Sequence, residues 1–358
     1  MPAGIKRMET CNSRCGSRVC SAPHRMIRTP TKLRVRFIGL ALLCLASIAT
    51  AQFPASFQAP TLGFLFDAES RTIRPIAGIA GSSRIDAPLS LPLTVDTVGF
   101  FPDQRHAIVG SRDSSSALVA DLKDTRFTPI NDAPAAITSM EISPGGTAAA
   151  IYYADTRRIL IVTGFFNAPA ILSSIDLSFA NGPLSEFAIA DDGTVALLAF
   201  SSTPQDSLYS WTASSGPRYV LNASHISDIA FLGEEAVVLD SASDQALWIR
   251  NIRGTASSWL AANSGDGLSR PVAVAASRRN EIYIGDAEGG ILILDTAGRI
   301  LKKTRCNCAI TSMAPLANTS FRLTDRIDRP MYVLDGNDAG RIFFIPALIP
   351  LYSPGSGR

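Results

Sequence analysis

Short apolar runs alternate with turn-forming residues along most of the chain. The runs are rich in Val, Ile, Leu, Phe and Ala, and Gly (26 residues) and Pro (22 residues) interrupt them every few positions. Short β-rich runs between frequent breakers are typical of strands joined by tight turns. The pattern therefore predicts an all-β protein.

One pair of strands recurs six times, and the first copy starts near residue 95. In each copy an apolar strand leads into a turn rich in Pro, Asp or Gly, and a second apolar strand follows. Matching positions lie 42, 47, 42, 44 and 40 residues apart, at Phe100, Ile142, Ile189, Phe231, Ala275 and Pro315. Two more strands follow each pair, and four strands per period of about 43 residues are typical of a β-propeller blade. A β-sandwich has strands at similar spacing, but it does not repeat one turn at one phase.

The repeat resembles known propeller families. The stretch Pro271–Gly298, with PVAV, EIYIGD and ILILD as its apolar runs, looks like an NHL-type repeat. The turns Ser143–Gly146 and Ala190–Gly193 are similar to those of WD-repeat propellers, although no Trp is followed by Asp as in true WD repeats. The resemblance spans residues 97–346. It implies the β-propeller architecture and no particular function.

The number of blades depends on the segment that precedes the six complete modules. Leu62–Asp67 and Thr72–Ala77 match the last two strands of a blade, and the apolar tail Ala347–Tyr352 is a candidate for its innermost strand. A blade shared by both ends of the chain closes the ring and hides its edges. We therefore expect one seven-bladed propeller over residues 52–352, with 353–358 as a flexible tail. Six blades with an appended N-terminal hairpin is the alternative.

The N-terminal region has the three parts of a secretory signal peptide in order. Four basic residues between positions 28 and 36 precede the apolar run Phe37–Ile48, and Ala49–Ala51 fits the small-x-small cleavage pattern. The run is too short to cross a bilayer, which takes about 20 residues. We predict that residues 1–51 are an N-terminal extension and signal peptide cleaved after Ala51. The mature chain is then secreted or periplasmic and has no membrane span; an uncleaved N-terminal anchor is the alternative.

The charge of the predicted mature chain argues against a nucleic-acid partner. Residues 1–51 hold nine Lys/Arg and one acidic residue, so the chain from Gln52 onward has 24 basic and 30 acidic residues, a net charge of −6. A nucleic-acid-binding protein needs a basic stripe, and the closest basic cluster, Lys302–Arg305, fits a solvated edge strand. We expect a monomer whose ligand is an unknown protein, peptide or glycan.

Two cysteines, Cys306 and Cys308, follow the predicted cleavage site. In an exported protein they are candidates for a disulfide, although a C-x-C bridge closes a very small, strained ring. Two small buried thiols, or a bridge that only tightens a loop, are the alternatives. No Cys/His spacing of a standard metal site occurs, so the sequence predicts neither a metal nor a cofactor.

The predicted mature chain has no recognisable catalytic constellation. His106 and His225 are expected on opposite faces of the propeller, and the chain has no Gly-x-Ser-x-Gly elbow and no phosphate-binding Gly-rich loop. We therefore interpret the protein as an extracytoplasmic binding or scaffold module and not as an enzyme. The alternative is an extracytoplasmic propeller hydrolase or lactonase with scattered active-site residues. Acidic groups around a divalent ion in the central channel would favour that alternative.

Aspartate ends the second strand of five of the six modules. The connection from the second to the third strand lies on the same face as the blade-to-blade connections, where binding residues concentrate. These residues are the candidates for a ligand face: Asp113, Asp155, Asp240, Asp286 and Asp325. The simpler interpretation is that Asp accepts backbone N–H bonds and begins turns. If the ring is functional, it favours a cation or a basic partner.

Overall fold

The computed structural model of the protein describes residues 59–337 and 340–348. The predicted leader, its cleavage site and the predicted flexible tail lie outside these residues. Within them, 27 strands form seven antiparallel sheets, and each sheet is built from consecutive strands. The protein is therefore the all-β, seven-bladed propeller that the repeat predicted, with one sheet per blade.

Blades 1 to 4 occupy the first half of the described chain. Blade 1 consists of β1 (Thr61–Asp67), β2 (Thr72–Ile79) and β3 (Ser82–Ile85). Blade 2 consists of β4 (Thr97–Phe100), β5 (His106–Gly110), β6 (Ser116–Asp121) and β7 (Arg126–Pro134). Blade 3 consists of β8 (Ser139–Ile142), β9 (Ala148–Tyr153), β10 (Arg158–Thr163) and β11 (Ala170–Asp176). Blade 4 consists of β12 (Leu184–Ile189), β13 (Val195–Phe200), β14 (Asp206–Thr212) and β15 (Gly216–Ala223).

Blades 5 to 7 complete the ring. Blade 5 consists of β16 (Ile226–Leu232), β17 (Glu235–Asp240), β18 (Gln245–Arg250) and β19 (Ser257–Ala262). Blade 6 consists of β20 (Pro271–Ala276), β21 (Ile282–Asp286), β22 (Gly290–Leu294) and β23 (Ile300–Arg305). Blade 7 consists of β24 (Ala314–Pro315), β25 (Ser320–Arg322), β26 (Met331–Asp335) and β27 (Arg341–Ile345). Three short 3₁₀ helices lie in connections, at Leu177–Phe179, Ser264–Asp266 and Ala317–Thr319. In the described ranges, no helix is long and apolar enough to span a membrane.

The first strand of each complete blade lies nearest the ring axis, and the fourth lies at the rim. Consecutive first strands from β4 to β20 contact one another and line a central cavity. Second strands such as β13 are buried along their whole length. Fourth strands such as β23 alternate half-buried and exposed side chains, because their outer edge faces solvent.

The repeated turn joins the first strand to the second in several blades. Gly146 has a φ of 73°, and its N–H donates to the carbonyl oxygen of Ser143 at 2.8 Å. Gly193 holds the matching position with a φ of 69°. Gln104 and Asn280 hold it in blades 2 and 6, with φ values of 54° and 59°. This left-handed conformation is easiest for Gly and tolerated by Asn, so the turn residues seen in the sequence follow from backbone geometry.

Seven apolar clusters hold the ring together, one at each contact between neighbouring blades. For example, Leu197 of blade 4 packs in one cluster with Phe231 and Val238 of blade 5. Another cluster joins blades 7 and 1, and the next joins blades 1 and 2. A single blade therefore buries its two faces only against its neighbours, as expected for a closed repeat array.

Blade 1 differs from the sequence prediction in the position of its strands. The segments at 62–67 and 72–77 were expected to be the last two strands of a blade, but a third strand, β3, follows them. They are therefore the second and third strands. The sequence of β3 is Ser-Ser-Arg-Ile, with alternating exposed and half-buried side chains, so it lacks the apolar run by which the other strands were recognised. The proposed inner strand, Ala347–Tyr352, lies mostly outside the described residues.

Candidate functional site

A cavity of about 840 Å³ lies at the centre of the ring. The first strands of blades 2 to 7 surround it, and blade 1 contributes none of its lining residues. Because successive side chains of a strand point to opposite sides, only some positions of each first strand project into the cavity. We call this space the central channel.

Three carboxylates from consecutive blades line the central channel. Glu141 lies on β8, Glu186 on β12 and Asp228 on β16. Each stands in a strand whose other residues are mostly apolar or small. Glu141 reaches the open space of the channel, whereas Glu186 and Asp228 are half-buried. The repeat therefore brings three acidic groups, 42 to 45 residues apart in sequence, to neighbouring positions around one cavity.

The environment of these groups favours their neutral forms. Glu141 is exposed to the channel, but the surrounding blades enclose it and limit its solvation; this enclosure, with the charges of Asp228 and Glu186 as smaller causes, raises its pKa well above the usual value. Burial and the nearby Asp228 raise the pKa of Glu186 to about 8. Burial raises the pKa of Asp228 to about 7, although two backbone N–H groups oppose the shift. Surrounding protein disfavours a charge and like charges repel, so both effects act in the same direction.

Hydrogen bonds fix one of the three carboxylates. The Oδ1 atom of Asp228 accepts from the N–H of Ile229 at 2.8 Å, and its Oδ2 atom accepts from the N–H of Val274 at 2.7 Å. Asp228 therefore ties β16 to β20 in the next blade. Within the described part of the chain, Glu141 and Glu186 form no such bond or ion pair. They remain available to a ligand.

The carboxylates do not form a metal site by themselves. Among the described residues, no three His, Cys, Asp or Glu side chains lie close enough together to hold one metal ion. The three acidic groups thus influence each other's pKa without converging on a single point. That arrangement fits an extended ligand better than a single ion, which needs several ligand atoms within about 2.6 Å.

The remaining channel wall is apolar with a few hydroxyl groups. Met140, Val274 and Met313 line it together with Ser312 and Ser320. The Oγ atoms of both serines are buried and have no hydrogen-bond partner among the described residues, and Ser320 is only 1% exposed. A buried hydroxyl without a partner is uncommon in folded proteins.

An arginine lies across one mouth of the channel. Arg278, in the first turn of blade 6, donates from Nη2 to the carbonyl oxygen of Pro102 in blade 2 at 3.3 Å. The two blades are not neighbours in the ring, so this side chain crosses the opening. Its neighbour Arg279 instead bonds Asn337 of the adjacent blade at 2.6 Å. A cation entering at this face meets a positive charge before it reaches the carboxylates.

The structure places the five predicted aspartates apart, each in its own blade. Asp240 is buried and accepts from the N–H groups of Ser224 at 2.8 Å and His225 at 3.0 Å. Asp286 is buried and accepts from the N–H groups of Glu288 at 2.9 Å and Gly290 at 2.7 Å. These contacts are those of turn residues.

The other three aspartates are exposed. Asp113 accepts from the N–H of Thr94 at 2.7 Å, which lowers its pKa. Asp325 pairs with Arg322 at 2.7 Å. Asp155 is exposed and makes no hydrogen bond or ion pair within the described residues. The bonds of Asp113 and Asp240 to blade-to-blade connections show that both lie on that face. A ligand-binding role for the five residues stays a prediction.

The histidines and cysteines lie outside the channel lining. Nδ1 of His106 lies 2.5 Å from Asp103, and Nδ1 of His225 lies 3.3 Å from Asp206. Cys306 and Cys308 lie in the connection from β23 to β24, with their Cα atoms 5.1 Å apart and their sulfur atoms at bonding distance. The disulfide stays a prediction, which a mass measurement of the intact chain tests.

The channel carboxylates were not among the site residues predicted from the sequence. The predicted acidic residues lie at or just after the ends of the second strands, whereas the channel carboxylates lie inside the first strands. The available signal was an acidic residue one to three positions before the matching apolar position in three consecutive modules, at Glu141, Glu186 and Asp228. An acidic residue within an otherwise buried inner strand is costly unless it faces a cavity.

The fold and channel define a seven-bladed β-propeller with an acidic central cavity. The sequence matches no protein-family model and no curated protein. Among solved structures, it is similar to a functionally unknown protein from Desulfotomaculum acetoxidans, at 13% identity and a TM-score of 0.53, covering 80% of this chain and 100% of that one.

Two lyases are also similar in structure. A streptogramin B lyase is 11% identical with a TM-score of 0.52, covering 73% of this chain and 87% of the other. Virginiamycin B lyase from Staphylococcus aureus is 14% identical with a TM-score of 0.49, covering 71% of this chain and 84% of the other. At these identities the likeness shows the propeller fold alone.

Proposed function

We propose that this protein is an exported binding module that takes a small organic cation in its central channel. The observation that carries the proposal is the set of three carboxylates, Glu141, Glu186 and Asp228, around one cavity. Burial, and to a smaller extent the like charges, raise the pKa values of these groups, so charging them costs free energy in the empty protein. A cationic ligand relieves that cost, and this makes the channel selective for positive charge.

The chemistry of the wall favours an organic cation of the polyamine type. The acidic groups come from three blades and do not converge on one point, so a ligand with its charges spread along a chain matches them. Apolar side chains such as Met140 and Val274 suit the methylene groups between those charges. The volume of about 840 Å³ is within the range of small-molecule sites.

Calorimetry with spermidine tests the proposal. At pH 9, above the pKa values of about 8 for Glu186 and about 7 for Asp228, these two carboxylates are charged and binding is strongest, whereas at pH 6 they are mostly protonated and the affinity falls by at least about tenfold. Glu141→Gln/Glu186→Gln should lose binding at pH 9 by a similar factor. Glu234→Gln is the matched control, because Glu234 lies in a turn and is 83% exposed. Equal affinity in the double variant and the parent, or binding of Ca²⁺ in preference to spermidine, contradicts the proposal.

Export is part of the proposal and has its own test. The order of basic segment, apolar run and Ala-x-Ala site motivates it. N-terminal sequencing of the secreted or periplasmic protein should begin at Gln52, followed by Phe53 and Pro54. An intact N-terminus on protein recovered from the cytoplasm contradicts export. The binding proposal does not depend on this result, because calorimetry tests it separately.

A second candidate function is acid–base catalysis in the same channel. The pKa values of about 8 for Glu186 and about 7 for Asp228 lie near neutral pH, where a general acid or base is most effective. Two similar structures are lyases, and hydrolysis of a lactone or an ester is a further reaction of this kind. Turnover of such a substrate that Glu186→Gln abolishes would favour an enzyme; binding without turnover favours the binding module.

A further inference from the structure

Blade 1 has an open inner edge in the described structure. In blades 2 to 7 the second strand pairs with an inner first strand, but β1 pairs only with β2. The N–H of Phe64 points away from β2 and donates to Oε1 of Gln104 at 3.2 Å. Since strand residues alternate, the N–H of Phe66 faces the same open edge and that of Leu65 faces β2.

A groove lies beside this edge. It has a volume of about 160 Å³ between blades 1, 2 and 7, and we call it the inner-edge groove. Its lining is Phe64, Val98, Phe100, Ala314, Pro315, Leu316 and Arg322. The Nε atom of Arg322 is buried and has no hydrogen-bond partner in the part of the chain that the structure describes, although another nitrogen of its guanidinium pairs with Asp325. The free N–H groups of the open strand edge and the unpaired Nε donor lie in one groove, and backbone carbonyl groups can accept from both.

We propose that residues 349–358 of this chain enter the inner-edge groove as the first strand of blade 1. The last described residues already approach it. After β27 ends, the N–H of Leu348 donates to the carbonyl oxygen of Ile327 at 3.0 Å. Ile327 packs against the cluster that contains Leu62 and Leu65 of β1. The chain beyond Leu348 therefore starts next to the blade that lacks an inner strand.

The length and composition of the segment fit this position. Elsewhere in the ring, two (Ser224–His225) to eleven (86–96) residues join a fourth strand to the next first strand. Residues 346–358 provide 13, enough for such a connection and a short strand. Pro350 does not exclude the segment, because an inner strand has one unpaired edge and β20 and β24 also contain proline.

The segment before β1 fits less well. The carbonyl oxygen of Pro60 accepts from the N–H of Gly78 at 2.6 Å, so the pairing of β1 with β2 extends back to Pro60. A turn like that of blade 2, with five residues at 101–105, would leave about three residues of 52–58 for a strand after cleavage at the predicted site. Loss of the 52–58 segment therefore serves as the comparison.

Amide exchange resolved by residue tests the proposal. In the full mature chain the amide of Phe66 should exchange at least about tenfold more slowly than an open edge allows. Deleting 349–358 should speed exchange at Phe66 and leave Leu65 protected by β2, whereas general destabilisation would speed both. A synthetic peptide of residues 346–358 should restore protection. The double variant Ile349→Asp/Leu351→Asp of the full-length chain should also speed exchange at Phe66. This double variant is used instead if the deletion variant does not fold.

Three outcomes overturn the proposal. Fast exchange at Phe66 in the full chain would mean that the inner-edge groove is empty and open to a partner peptide. Protection lost on deleting 52–58, but kept on deleting 349–358, would assign the groove to the N-terminal segment. Protection kept in both deletions would mean that neither segment pairs with β1.

Discussion

At the scale of single residues, the carboxylates of the central channel link stability to pH. The pKa of Glu186 is raised to about 8, so the folded protein binds this proton more tightly than the unfolded chain does. The stabilisation from this group is fully present below about pH 4, near the pKa of an unfolded Glu. It is lost as pH rises through about 8.

Glu186→Gln should therefore stabilise the protein at high pH only. We expect equal melting temperatures for variant and parent near pH 4. At pH 9 the variant should melt at least about 2 °C higher, the shift that about 1 kcal/mol produces in a large domain. Melting curves from pH 4 to 9 measure this difference. Glu234→Gln, in an exposed turn, should show no such trend, and a pH-independent difference for Glu186→Gln would contradict the raised pKa.

Substitutions of Asp240 and Asp155 distinguish a turn-forming role of the predicted aspartates from a ligand-binding role. Replacing Asp240 with Ala removes the acceptor of three backbone N–H groups and should cost about 1–3 kcal/mol of stability. Asp155→Ala should change stability by less than about 0.5 kcal/mol, because Asp155 is exposed and unbonded. Chemical denaturation measures both. Weaker spermidine binding by Asp155→Ala at unchanged stability would support the predicted ligand face.

At the scale of elements, Gln104 bonds to the inner edge of β1, which has no strand partner among the described residues. Its side chain accepts from Phe64 N–H and donates to the carbonyl oxygens of Phe101 at 3.0 Å and Pro315 at 2.8 Å. One amide therefore joins blades 1, 2 and 7. It is 7% exposed, so water cannot readily replace these bonds.

Gln104→Ala should destabilise the ring at its closure. Three backbone groups lose a partner in a buried site, and we expect a loss of about 2–4 kcal/mol in the free energy of unfolding. Denaturant titration measures the loss. Gln205→Ala is the matched control, because the side chain of Gln205 is exposed. A loss no larger than that of the control would show that the amide bridge contributes little.

The repeated elements were predictable, and the irregular ones were not. Six modules in phase identified the blades because each repeats an apolar strand and a turn that needs a positive φ, as at Gly146 and Gly193. Strand β3 has no apolar run, since a rim strand with one free edge buries little. The channel carboxylates were not evident from the sequence, because their proximity depends on which blades are neighbours in the ring. In the sequence Glu186 is a single acidic residue within a strand, and only the fold places it near Glu141 and Asp228.

At the scale of the whole molecule, blade 1 completes two apolar interfaces. Leu62, Leu65 and Ile76 pack against blade 7, while Phe64 and Ile73 pack against blade 2. Each such side chain contributes about 1.5–3 kcal/mol when fully buried. Together they account for a large part of the 5–15 kcal/mol that typically separates folded from unfolded domains.

Deleting residues 59–85 should therefore abolish cooperative folding. We expect aggregation in size-exclusion chromatography and no sharp thermal transition. Deleting 353–358 is the control, and it should leave the transition in place. A variant without 59–85 that melts cooperatively near the parent temperature would show that six blades close on their own.

The contact between blades 7 and 1 differs from the other six in how the chain passes through it. Every other pair of neighbouring blades is joined by a peptide segment as well as by an apolar cluster, whereas within the described residues this pair is joined by side-chain and hydrogen-bond contacts alone. The propeller therefore has a seam. A peptide linking Leu348 to Ala59, with the chain opened at another blade-to-blade connection, would relocate that seam and leave the seven apolar clusters in place. The order of the blades in the gene is thus one of seven cyclic orders that build the same ring.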